Sequence, residues 1–516
     1  MAVSGKFSTD ISQVFEINTR IIAFLFRHPA LTLSVGNGGA RTDIPLGGHC
    51  VHIMSVIGTL HTLSGTAARQ MGTTEALAVA DRAALAFGDW SAQSPQARAE
   101  VLRVMSEKLD ANRAGLIDIA AREIGAAPSW TTFNIDLATD ILLRNAELVP
   151  YLDDQTSTNS ATGVVSTIRR QAAGVALGIA PWNAPITLAV RAVAGPLICG
   201  NTAVMKASEN CPETHRALIE MLQVPGLPDG ALGAVTNAPD ESSDVVAALI
   251  GHPAIRRVNF TGSTRVGRSV AMECARHLKR CLLELSGKAA LIVLDDADIN
   301  AAIHAAAFGA FFNQGQICMS TERIIVVQDI ADAFVSGLAD MARTLTAADP
   351  TGHSATLGRL INSDAGQRLS ALIEDAVAHG ADLLLGGQVE DSVMQPVVLD
   401  HVAPNMRLYH EESFGPVASV LRVADEEEAI SVANDSEYGL SAAIFSRDGE
   451  RASRLADQIE TGIVQINGPT VHDDPAMPFG GMKASGYGRF GGPATVEEFT
   501  ELRWIARHPP GRVPAL

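Results

Sequence analysis

Residues 175–185 read Val-Ala-Leu-Gly-Ile-Ala-Pro-Trp-Asn-Ala-Pro. The run Val175–Ala180 carries no polar side chain, so it predicts a strand buried on both faces. Pro181 and Pro185 fix the loop that follows, and a helical pattern lies between it and the next apolar run. A strand, a rigid loop and a helix in that order make the first half of a parallel crossover unit.

The same alternation continues outward. Short apolar runs recur at Thr202–Met205, Val235, Arg257–Phe260, Leu282–Leu285, Leu291–Leu294, Arg323–Val327 and Gly462–Ile466, with helical patterns between them. Before them, Glu75–Phe87, Ala97–Ile117 and Asp136–Tyr151 predict helices, with a Ser-Pro loop at 94–95. The polar stretch Asp153–Gly163 leads into an alternating strand at Val164–Arg170. The expected fold class is α/β, built on parallel sheets.

Composition limits function. The 516 residues hold 39 Lys+Arg against 57 Asp+Glu, a net charge of −18, which disfavours nucleic acid and anionic membrane surfaces as partners. The charge is uneven: residues 1–70 hold five basic and three acidic side chains, so the acid excess belongs to the rest. The apolar runs Ile21–Phe26 and Val51–Leu60 are short or interrupted, and neither predicts a membrane span. Six cysteines without a CxxC pair or a zinc-spaced His predict free thiols, no metal site and a cytoplasmic chain.

Five motifs carry chemistry. In Pro181-Trp182-Asn183-Ala184-Pro185, the Asn183 carboxamide sits at the carboxyl end of a strand and can donate to an oxyanion or to a structural turn. Lys206 and Glu209 also follow a strand; they can reach two hydroxyls of one ribose, or simply pair in solvent. A carboxylate there disfavours a 2′-phosphate and so points to NAD over NADP. Phe260-Thr261-Gly262-Ser263-Thr264-Arg265-Val266-Gly267 opens a helix whose first N–H groups make an anion site, or a plain cap. Glu284, in Leu283-Glu284-Leu285-Ser286-Gly287-Lys288, lies in an apolar run, where burial suits a general base or a paired structural acid. Cys318, in Asn313-Gln314-Gly315-Gln316-Ile317-Cys318, is the cysteine with small and polar neighbours, as a nucleophile needs. Glu411-Glu412-Ser413-Phe414-Gly415-Pro416 and Pro478-Phe479-Gly480-Gly481 follow.

Taken together, in this order and spacing from Glu75 to Leu516, these motifs resemble the NAD(P)-dependent aldehyde dehydrogenase superfamily. PWNAPITLAVRAVAGPL (181–197), GPTVHDDPAMPFGGMKASGYGRFGG (468–492) and FTELRWI (499–505) look most like its salicylaldehyde, vanillin and benzaldehyde dehydrogenases. The resemblance implies two Rossmann-like parallel-sheet domains and a small β oligomerisation element. Residues 72–153 and 172–285 would form the cofactor-binding domain and 286–485 the catalytic domain. The hairpin 154–171 and the tail 486–516 would join copies into a homodimer or homotetramer, and residues 1–71 stay unassigned.

It also implies roles. Cys318 would attack an aldehyde, Asn183 would hold the oxyanion, and Glu284 would activate the water that releases the acid. Trp182, Lys206, Glu209, Gly262, Ser263, Gly267, Glu412 and Phe414 would bind NAD. Arg191, Ile317 and Phe479 would meet the substrate, with Ala184 leaving room for a ring and Arg191 placed for a ring hydroxyl or phenolate. Ser286 and Ala207 stand where this superfamily usually has Gly and Pro. An aromatic aldehyde is the expected substrate. An aliphatic aldehyde or semialdehyde, or a cofactor-binding protein without catalysis, is the alternative.

Overall fold

The computed structural model describes residues 32–36, 41–45, 70–351 and 356–511. The first of two units ends at Ala67. Its described residues form an antiparallel pair, Thr32–Gly36 against Arg41–Pro45. The runs Ile21–Phe26 and Val51–Leu60 lie outside the described residues.

The second unit begins at Ala68. Its six-stranded sheet contains β1 (Val175–Ile179), β2 (Thr202–Lys206), β3 (Leu232–Val235), β4 (Ile255–Thr261) and β5 (Arg280–Glu284). The spatial order is 5-4-1-2-3, all parallel, with Gly486–Tyr487 added antiparallel outside β5. Strand order reverses at β1, and ligands of such sheets bind outside the carboxyl ends at that point. The loop Ala180–Ala184 therefore stands where a ligand is expected. β1 is buried throughout, as its unbroken apolar run requires.

The second sheet has seven strands, with β6 (Ala289–Val293) and β7 (Thr321–Val327) side by side near its centre. Val417–Val423 and Ser441–Phe445 flank them in parallel. Apolar clusters cover both faces: Ile292, Ile325 and Leu421 point to one side, Leu291, Ile324 and Val420 to the other. Leu285–Lys288 joins the two sheets, so a residue ending β5 is carried toward residues preceding β7.

A third, antiparallel sheet pairs Thr500–Arg507 with Val165–Ala172 over its whole length, and the latter with Gln155–Thr158. The outer strand is exposed at every position and lies inside the stretch read as polar. Gly486–Tyr487, counted with the tail from sequence, belongs to the six-stranded sheet instead.

Two helix expectations shift. Ala97–Ile117 is two helices, Pro95–Ala111 and Arg113–Ile124, because Asn112 leaves helical geometry and donates its side-chain amide to the Lys108 carbonyl at 2.6 Å. Ser94 caps the first of them and Pro95 opens it. The helix expected from Asp136 begins a full two turns earlier, at Pro128, and ends at Ala146, ahead of a 3₁₀ turn at Val149–Leu152. No helix of the described residues is long and apolar enough to cross a membrane.

Candidate active site

Helix Ile299–Phe311 ends in a loop whose backbone turns left-handed three times running, at Asn313, Gln314 and Gly315 (φ 48°, 54° and 67°). Two of those residues carry a Cβ, so the loop stores strain that its surroundings must hold. Three side-chain amides hold it. Gln314 accepts from the Gly358 N–H (2.7 Å) and donates to the Arg359 carbonyl (3.0 Å). Gln316 accepts from the Ile361 N–H (3.0 Å), and Asn313 donates to the Asn183 carbonyl (3.2 Å). Thr470 fastens the far end through the Met319 carbonyl (2.7 Å). Cys318 rides on this frame. A Cβ on Gly287 would lie 2.3 Å from the Cys318 carbonyl oxygen, so only glycine lets the β5–β6 connection pass beneath.

Glu284 ends β5 and is 1% exposed. Neither of its carboxylate oxygens has a hydrogen-bond partner in the protein. Burial lifts its pKa from 4.5 to about 7, with the Cys318 thiol and the Arg191 guanidinium drawing it part of the way back. Loss of solvent and the facing Glu284 carboxylate push the Cys318 thiol well above its ordinary value. Thiol and carboxyl therefore compete for one proton. The buried Asn183 side-chain amide donates to the Gln316 carbonyl at 3.0 Å, and the Asn183 backbone carbonyl accepts from the Trp130 indole at 2.8 Å.

The other described cysteines offer less. Cys199, Cys211 and Cys274 are buried. Cys281 is drawn down to about 7 by the Cys274 thiol and the Tyr487 hydroxyl, the latter at 3.0 Å. It lies on the sheet edge and lines none of the cavities that meet the motif loops, whereas Cys318 lines one of them.

That cavity spans about 450 Å³, part of it open to solvent. Asn183 and Cys318 stand in its wall with Trp130, Phe133, Leu188, Ile317, Met319 and Phe479, so it is mainly apolar and partly aromatic. Ile317 and Phe479 thus lie where the sequence expects them. Arg191 lines it too, but its charge is already answered: it pairs with Asp473, each side chain 5% exposed, and lies 4.2 Å over the Phe479 ring. Trp130 and Phe133 were missed because the sequence reading began their helix at Asp136. Pro128, a first-turn proline, was the available signal.

A larger cavity, about 1730 Å³, opens outside the carboxyl ends of β1, β2 and β4. Trp182, Lys206, Glu209 and Gly262 line it. Lys206 and Glu209 pair with each other, and both meet the Ser242 hydroxyl, at 3.1 and 2.5 Å. Burial would raise the Glu209 carboxyl, but the Lys206 ammonium and the Ser242 hydroxyl, with a backbone N–H, together hold the group below its usual value. Ser263 is exposed at the start of helix Thr264–Arg276 and caps it through the Val266 N–H (3.4 Å). Gly267 does not line the cavity. It is buried, and a Cβ there would strike Leu285 at 2.4 Å, so this glycine serves helix-to-strand packing rather than ligand approach.

Glu412 accepts from the Gly287 N–H at 3.1 Å, and burial lifts its carboxyl to about 7. Phe414 meets Trp182 edge-on, ring centres 5.8 Å apart. Their loop hangs on Glu322, which accepts from the Ser413 and Phe414 N–H groups at 3.0 Å and pairs with Lys288 at 2.7 Å. Both side chains are almost fully buried. Sequence reasoning gave Lys288 and Glu322 no role, although a Glu-Arg pair opening a buried strand was a visible signal.

The aldehyde dehydrogenase family model matches residues 60–505. The match starts ahead of Glu75 and stops short of Leu516. A vanillin dehydrogenase from Pseudomonas fluorescens is 54% identical over 420 residues, covering 81% of this chain and 87% of that protein. A salicylaldehyde dehydrogenase from Pseudomonas sp. strain C18 is 44% identical over 438 residues, 84% of this chain and 90% of that one. The crystal structure of a salicylaldehyde dehydrogenase from Pseudomonas putida G7, complexed with salicylaldehyde, superposes with a TM-score of 0.85 at 43% identity, covering 87% of this chain and 93% of its own.

Proposed function

The chain belongs to the aldehyde dehydrogenase family, and from that premise we propose that it oxidises aromatic aldehydes to carboxylic acids, with NAD as the preferred dinucleotide. Oxidoreductase action on an aldehyde, with NAD or NADP, comes with the family. The aromatic preference is supported by one observation above the others: the cavity that ends at Cys318 is walled by Trp130, Phe133 and Phe479. The names of the relatives point the same way.

The groove suits a dinucleotide. Lys206 and Glu209 offer a donor and an acceptor to ribose hydroxyls, and the helix opening at Ser263 offers N–H groups to a pyrophosphate. Glu209 would repel a 2′-phosphate, which supports NAD. Glu412 would reach the second ribose and Phe414 would border the nicotinamide. The bound dinucleotide supplies a hydride acceptor.

The protein supplies the rest. The Glu284 carboxylate takes the Cys318 proton, and the thiolate sulfur bonds to the aldehyde carbon. The carbonyl oxygen becomes an oxyanion that accepts from the Asn183 amide and the Cys318 N–H. Departure of the hydride from the same carbon leaves a thioester. Glu284, having released its proton, takes another from a water whose oxygen adds to the thioester carbon. The carbon–sulfur bond breaks, the acid leaves, and the Cys318 thiolate returns.

We assign the three-stranded sheet to assembly of a homodimer or homotetramer. The substrate reading is tested by NAD(P)H formation with benzaldehyde, salicylaldehyde, vanillin and hexanal, using NAD and NADP in turn. The aromatic aldehydes should give the higher kcat/KM, NAD should exceed NADP, and Cys318→Ala should give none. Equal or better turnover of hexanal overturns the aromatic assignment.

A further inference from the structure

His215 has no part in the motifs, yet it is fully buried between two of them. It lies on helix Pro212–Met221. Its Nδ1 accepts the backbone N–H of Ser208 at 3.1 Å, and its Nε2 lies 3.1 Å from the Pro185 carbonyl oxygen. An N–H donor at Nδ1 requires that nitrogen to be bare, so the ring proton sits on Nε2 and is donated to Pro185. Ser208 adjoins Glu209. Pro185 follows Asn183 by two residues and opens helix Pro185–Ile198. One imidazole thus ties the loop of the dinucleotide groove to the loop carrying the oxyanion amide.

The tie works in one protonation state only. An imidazolium would present a second N–H to the Ser208 N–H, so the charged ring cannot make both bonds. Burial favours the neutral ring, holding its pKa down at about 4. The ring has no lone pair to spare for Cys211, whose sulfur lies 3.7 Å from both nitrogens. Cys211 and His215 are therefore not a nucleophile and its base.

Building on the dehydrogenase reading, we propose that His215 is a positioning residue that holds two loops separately, the Ser208–Glu209 backbone of the dinucleotide groove and the loop that places Asn183. Its two nitrogens divide the work: Nδ1 sets the Ser208–Glu209 backbone, and Nε2 sets the Pro185 carbonyl and with it the Asn183 loop.

The two halves can be separated. Asparagine puts an amide oxygen near the place of Nδ1, and glutamine puts an amide nitrogen near that of Nε2. His215→Asn should keep its NAD dissociation constant by calorimetry, while its first-turnover rate of NADH formation with benzaldehyde at saturating NAD falls about tenfold. His215→Gln should do the reverse, weakening NAD about 3- to 10-fold with a near-normal first turnover. His215→Ala should lose both. The inference is overturned if the Asn and Gln variants lose both properties together, or neither. A wild-type chain inert toward every aldehyde would instead refute the proposed function, and calorimetry with NAD would still read the Ser208 half.

Discussion

At Glu284, one carboxyl meets two demands. It must be basic enough to take a proton and buried enough to face a thiol. The raised pKa meets both, at a cost in stability with a definite pH signature. Between pH 4.5 and about 7 the unfolded chain is ionised at this residue and the folded chain is protonated. Stability falls as pH rises through that window and stays lower above it. Glu284→Gln should therefore raise Tm at pH 8, by about 1–3 kcal/mol of stability, and leave it nearly unchanged at pH 4. Equal Tm values at both pH values would mean that the carboxyl is not held neutral by burial. Sequence reaches such residues when their oddity is local: an acid in an apolar run, or a cysteine among small polar neighbours. Asp473 and His215 were out of reach, because each acts on a partner far along the chain. Gly267 misled for the opposite reason. A glycine near a helix start suits an anion or a neighbouring strand equally well, and only the 2.4 Å approach of Leu285 decides.

Elements carry the site by where they end. β1, β4 and β5 deliver Asn183, Gly262 and Glu284 from their carboxyl ends, and the strained loop before β7 delivers Cys318. The parallel strands were legible because burial on both faces leaves an unbroken apolar signature. Helix ends were less so. Asn112 splits a helix that periodicity alone continues, and the aromatic first turns of helix Pro128–Ala146 fell outside the segment read as helical. The three-stranded sheet shows a different economy. Ile168, Leu502 and Trp504 form one exposed apolar stripe, with Trp504 opposite Ile168 in register. A stripe of that kind on a sheet with an open edge suits a second copy of the chain. If the proposed assembly uses this stripe, Trp504→Glu combined with Leu502→Glu should give a monomer in sedimentation velocity where the unaltered chain gives a dimer or tetramer. An unchanged sedimentation coefficient would exclude this sheet from the interface.

Across the molecule, the two parallel sheets bring together groups that neither could assemble alone. β5 of the first sheet ends at Glu284, and the chain then crosses under the Cys318 carbonyl at Gly287 to begin β6 of the second. The base and the sulfur meet because the connection is short and bare at that one position. The dinucleotide groove opens on the first sheet beside Trp182 and the aromatic cavity holds Asn183 and Cys318, so the aldehyde and the acceptor of its hydride would reach the site by separate cavities. The central claim is that this carbon is held on Cys318 as a thioester which Glu284 clears. Glu284→Gln, mixed rapidly with NAD and benzaldehyde, should release close to one NADH per chain in a single burst, slowed because Cys318 has lost its proton acceptor, and then stall, with a benzoyl group found by mass spectrometry on Cys318. Undiminished steady turnover, or a burst with Cys318 unmodified, would contradict it.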